Sequence, residues 1–188
     1  MIIIIAACLL ALAPSDVQIN PYKIYTLYLD SDFTKTEKEA ITNAANLWTE
    51  TTHGLIKFKF IEKQVEFNPS IFLNENVIWR ADENDINLLI FELMVVGGQI
   101  IGFAPPSMYV VLVPDRTYSK EHLEVVVAHE LGHHIGMKHT PSIMDSQPTI
   151  PCITATDISQ FCKIHGCENI EALTPKCFGS ALVDDYND

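Results

Sequence analysis

One stretch restricts this chain more than any other: Val127-Ala128-His129-Glu130-Leu131-Gly132-His133-His134-Ile135-Gly136-Met137-Lys138-His139. His129 and His133 are four residues apart, so on an α-helix their side chains rise from one face about one turn from each other, and two imidazoles can hold one ion. The segment around them must therefore be helical. Ser119 is a natural N-cap, Glu121 and Glu124 suit the positive end of the helix dipole, and the spacing predicts a helix from about Lys120 to Ile135. Leu123, Val126, Val127, Ala128, Leu131 and Ile135 give it so broad an apolar surface that it belongs inside the domain, against a sheet.

A catalytic zinc takes three protein ligands and leaves a fourth position to water. Gly136 can adopt positive φ, end the helix and turn the chain back. His139, three residues later, then comes within reach as the third ligand. A third ligand taken from farther along, such as Glu168, would not need this early break. Glu130 lies about 100° round the helix from His129, beside the metal rather than on it. There it can take a proton from the zinc-bound water and pass it to a leaving amine. His134 projects to a different side and is not a ligand. An HExxH pattern alone recurs by chance on ordinary helices; Gly136 and His139 at fixed distances make this one specific.

The rest of the chain sets bounds on that site. Its 188 residues suffice for one domain with a proper core, and 48% hydrophobic with 19% charged residues excludes wholesale disorder. With 12 basic and 24 acidic residues the net charge is -12 and no Lys/Arg cluster stands out, which argues against nucleic acid or an anionic membrane surface as partner. The apolar run Met1 to Ala13 is too short for a membrane-spanning helix. It reads as a signal-peptide core with Ala11-Leu12-Ala13 as the exit; a lipoprotein box ending at Cys8 and a buried first strand are the competing readings. Cys152, Cys162, Cys167 and Cys177 crowd into the last forty residues. In an exported chain they imply two disulfides with three possible pairings, the competing reading being a second zinc site, for which a C-x-x-C knuckle is missing.

Along the chain, Tyr22 to Leu29 reads as a first strand, and Thr34 or Thr36 caps a helix carrying Ala40, Ile41, Ala44, Leu47 and Trp48 on its core face. Gly54 follows as a left-handed stop. Ile56 to Glu62 alternates apolar with charged, a strand with one wet face. Val77-Ile78-Trp79, Ile86 to Phe91 and Met108 to Val113 are further strands. Asp82-Glu83-Asn84-Asp85 is either a solvated turn or an oxygen-rich calcium loop. Ile100, Ile101, Gly102, Phe103 and Ala104, stopped by Pro105-Pro106, suit a sheet edge to which an extended peptide can add. Thr154 to Phe161 reads as a last short helix.

His129 to His139 matches the string HExxHxxGxxH at every specified position, and in this it resembles the metzincin metalloendopeptidases. The resemblance implies that Met144, in Ser142-Ile143-Met144-Asp145, forms a methionine turn under the metal. Thr140, after the third histidine, is most similar to the matrixin branch, as are the run from Tyr22 to Phe60 and Asp157 at the start of the last helix. The implied fold is α+β: a mostly parallel, twisted five-stranded sheet with an antiparallel edge strand, about three helices, and the active-site helix under the sheet. It would cover residues 20–165, after a leader at 1–19 and before a disulfide-stapled extension at 166–188. By the same resemblance Ile100 to Ala104 would bind substrate backbone, and Pro148, Thr149 and Ile150 would line the primed-side pocket. The pattern is not matched throughout. No Cys-bearing propeptide switch precedes the domain, the histidines and aspartate of a structural zinc are missing between Gly97 and Asp115, and the four late cysteines are not usual there. The expectation is therefore a secreted, monomeric endopeptidase with one zinc, acting on proteins or peptides. A non-catalytic zinc-binding interaction module of the same fold is the alternative, and the intact Glu130 speaks against it.

Overall fold

The computed structural model describes residues 23–65, 76–80, 102–103, 109–112, 119–145, 150–167 and 170–179. The leader, the acidic loop at 82–85, the expected strand at 86–91, Ile100, Ile101, Ala104, Pro148, Thr149 and Glu168 lie outside the described residues.

The first strand, β1 (Lys23–Asp30), leads through a short turn to α1 (Lys35–Thr51). Of the two cap candidates Thr34 is the one used, and it forms a capping box with Glu37: Glu37 N–H donates to Thr34 Oγ1 at 3.3 Å and Thr34 N–H to Glu37 Oε2 at 2.7 Å. Ala40, Ile41, Ala44, Leu47 and Trp48 are all buried. The chain leaves α1 through His53 and Gly54, both at positive φ (48° and 79°), and enters β2 (Ile56–Lys63), which runs parallel to β1 over its whole length. β3 (Val77–Arg80), β4 (Gly102–Phe103) and β5 (Tyr109–Leu112) complete a five-stranded sheet in the order β2-β1-β3-β5-β4. β4 is antiparallel to β5 and forms one edge; the other neighbours are parallel. The sheet is thus the mostly parallel one with an antiparallel edge strand that the sequence implied.

The second helix, α2 (Lys120–His134), is capped by Ser119 as expected, whose Oγ accepts from His122 N–H at 3.2 Å. It packs against α1, while α1 touches β2 and α2 touches β4 and β5. Two helices that meet each other and the same sheet must share one face of it, and the core fills the space between them. Burial of every residue from Val126 to Gly132 follows from that position. Between the helices, Trp48 Nε1–H donates to Ala128 O at 2.8 Å and Asn43 Nδ2 to the buried Glu124 at 2.5 Å.

Beyond α2 come β6 (Cys152–Ile153), α3 (Ala155–His165), a 3-10 turn at Ile170–Ala172 and β7 (Lys176–Cys177). The last helix is longer than the sequence reading, continuing past Phe161 until Gly166 caps it in the left-handed region at φ 72°. Disulfides join Cys152 to Cys177 and Cys162 to Cys167, one of the three pairings left open above. Leu173 is buried in the common core, and Lys176 reaches Glu50 at the end of α1 at 3.0 Å. Among the described residues no helix is long and apolar enough to cross a membrane.

Candidate metal centre

α2 ends at His134 with Ile135 as its cap, and Gly136 then turns the chain at φ 94°. That turn returns His139 towards the helix face bearing His129 and His133. One ring nitrogen from each of the three lies within 4.8 Å of the others, and Nε2 of His133 is 3.1 Å from Nε2 of His139. A tetrahedron built on Zn–N bonds of about 2.0–2.1 Å has edges of roughly 3.3 Å, so this spacing suits one zinc ion.

The other nitrogen of two rings is committed to backbone. His129 Nδ1 donates to Ile143 O and His133 Nδ1 to Met137 O, each at 2.9 Å. An Nδ1 proton held this way leaves the Nε2 lone pair free for a cation. Burial lowers the His129 pKa to about 4, and the neighbouring histidines add to that effect. Burial lowers His133 as well. Both rings are therefore neutral at neutral pH, the form that binds a metal.

Glu130 is buried, and its Oε2 has no hydrogen-bond partner among the described residues. Burial pushes its carboxyl up to about 8. An unpartnered carboxyl oxygen is costly inside a protein unless it serves something that the protein alone does not contain. This fits a site completed by a cation and a water.

Met144 is fully buried beneath the helix. It packs against Gly132, where an added Cβ would collide with Met144 Sδ and lie 2.9 Å from both Met144 Cε and Trp48 Cζ2. His134 stays outside the cluster, as expected, buried edge-on against Tyr25 with ring centroids 5.6 Å apart. Of the predicted substrate contacts, Gly102 and Phe103 form the edge strand β4 and Ile150 is half-buried just before β6.

Thr140, Ser142 and Asp157, which the sequence marks only through the family resemblance, join as supports of the cluster. Asp157, wholly buried, accepts from Ser142 Oγ at 2.7 Å, from Thr140 Oγ1, and from Thr154 N–H and Oγ1 at 2.7 and 2.9 Å. Ser142 Oγ accepts in turn from Met144 N–H at 3.0 Å. One carboxylate thus gathers the loop after His139 onto the start of α3. The hydroxyls of Thr140 and Ser142 beside an acidic N-cap partner were a usable signal; the carbonyls of Ile143 and Met137 leave none.

No family model and no curated protein matches the chain. Among solved structures it superposes on high choriolytic enzyme 1, a hatching-enzyme zinc protease of the medaka fish Oryzias latipes, with TM-score 0.35 and 14% identity over 62% of this chain. The match spans 44% of that protein, less than half its length. Archaemetzincin of Methanopyrus kandleri superposes with TM-score 0.41 and 14% identity, over 77% of this chain and 86% of that one. Likenesses this loose carry no function across, and the functional reading rests on the three-histidine cluster.

Proposed function

We propose that the chain is a zinc-dependent endopeptidase. The observation that carries this is the convergence of His129, His133 and His139, two of them pinned through Nδ1 to backbone carbonyls, with the buried Glu130, whose Oε2 has no partner among the described residues, next in the chain to the first. The three imidazoles would hold a single zinc ion. When bound there, zinc makes a water more acidic, polarises a peptide carbonyl and draws the neighbouring Glu130 carboxyl back towards its ionised form.

Glu130 is the general base and then the general acid: it accepts a proton from the attacking water and delivers it to the amine nitrogen of the breaking peptide bond. Burial, which raises the Glu130 pKa, suits the second role, since it helps the carboxyl hold the proton between the two transfers. An extended substrate adds its backbone to the edge strand at Gly102 and Phe103, and the same substrate-binding role is assigned to their sequence neighbours Ile100, Ile101 and Ala104. Pro148, Thr149 and Ile150 are assigned to recognition of side chains past the cut. The two disulfides support an oxidising, extracellular workplace, and Thr140 supports a matrixin-like assignment.

Unfolded casein is the test substrate. Cleavage is expected from the zinc-loaded protein, lost with a chelator and regained on adding about one equivalent of zinc. Chelator-resistant cleavage, or a protein that takes up no zinc, would overturn the proposal.

A further inference from the structure

Two hydrogen bonds separate the metal site from a disulfide. His129 Nδ1 donates to Ile143 O at 2.9 Å, and Ile143 N–H donates to Cys152 O at 3.0 Å. Cys152 is bonded to Cys177, its direct partner across the β6–β7 pair. Both strands are two residues long, far too short to hold a ladder unaided. Next to them Phe178 N–H donates to Pro151 O at 3.0 Å, and Ile143, Met144 and Ile153 are wholly buried.

We propose that the Cys152–Cys177 disulfide is a positioning element of the zinc site. It keeps β6 in place, β6 keeps the Ile143 peptide in place, and that peptide fixes the tautomer and aim of His129. The inference rests on the zinc reading above. The other disulfide serves as the control. Cys162–Cys167 spans five residues at the end of α3, where the Gly166 cap, whose N–H donates to Cys162 O at 2.8 Å, closes the helix as well.

The fixed outer partner of a metal-binding histidine is worth roughly 10–100-fold in metal affinity. The zinc dissociation constant of the full chain, measured by competition with a chromophoric chelator, is therefore expected to rise at least about tenfold in C152S/C177S. In C162S/C167S it should stay within about twofold of wild type. Near-UV circular dichroism should report a folded protein in both.

If C152S/C177S does not yield folded protein, folded C162S/C167S can instead be treated with a water-soluble trialkylphosphine. The phosphine takes the oxygen of one water to become its oxide, the water's two hydrogens end on the two new thiols, and iodoacetamide then blocks these against binding zinc themselves. The same loss of affinity with an intact near-UV spectrum is expected. Unchanged affinity would overturn the inference, and so would loss of the near-UV signal on reduction, because the disulfide would then hold the fold rather than the site. A wild type that binds no zinc would instead overturn the zinc reading beneath it.

Discussion

Gly132 occupies a position where a methyl group has no room. It lies on α2 between the two histidines, with fully buried Met144 on one side and Trp48 on the other. Met144 could bend away in open space, but the indole is fixed by its bond to Ala128 O. Gly132→Ala should therefore cost about 1–3 kcal/mol through overpacking, measured as a lower urea midpoint, and should weaken zinc binding by disturbing Met144. The three-histidine cluster was legible because helical periodicity places His129 and His133 without reference to the rest of the fold, and Gly136 marks the turn that returns His139. The close approach at Gly132 was not legible. It depends on Trp48, 84 positions earlier in the sequence, and on the loop after His139, and only the packed structure brings them together.

At the level of elements, the start of α3 and the loop bearing Met144 behave as one unit tied by Asp157. Asp157→Ala would leave the donors of Thr140, Ser142 and Thr154 without their acceptor in a buried place. The expected loss is about 3 kcal/mol or more, read from equilibrium urea unfolding, with Asp157→Asn losing less because its carbonyl oxygen can still accept. A loss within 0.5 kcal/mol, the range of ordinary surface substitutions, would show that the loop is held some other way. Elements with strong local signals matched the sequence reading: α1 with Thr34, one of its two candidate caps, the alternating β2 and the Ser119 cap. The end of α3 was read too early at Phe161, although Gly166 is the kind of residue that ends a helix. β6 and β7 could not be read at all, since two residues carry no periodicity and their partnership is set by a disulfide whose pairing spacing alone does not determine.

For the whole molecule, the buried titratable groups shape stability in the absence of metal. Burial holds His129 and His134 at about 4, lowers His133 and His165, and pushes Glu130 up to about 8. Between the ordinary glutamate value of 4.5 and the ordinary histidine value of 6.5, the unfolded chain binds protons on these histidines that the folded chain refuses, so stability rises with pH. Glu130 acts in the opposite sense over that range but is one group against four. Above 6.5 the unfolded histidines give up their protons as well, while up to about 8 the folded chain alone keeps the Glu130 proton, and stability falls as pH rises. Thermal melts of the metal-free protein should peak near pH 6.5, and Glu130→Gln should remove the decline on the alkaline side. The same buried glutamate that limits metal-free stability is the group assigned to catalysis.

That assignment gives the most direct measurement: zinc content and casein cleavage of wild type and Glu130→Ala side by side. About one zinc per chain is expected in both proteins, with cleavage by the variant lower by at least about 100-fold, the scale of a lost general base. Cleavage by zinc-loaded Glu130→Ala at the wild-type rate would contradict the assignment.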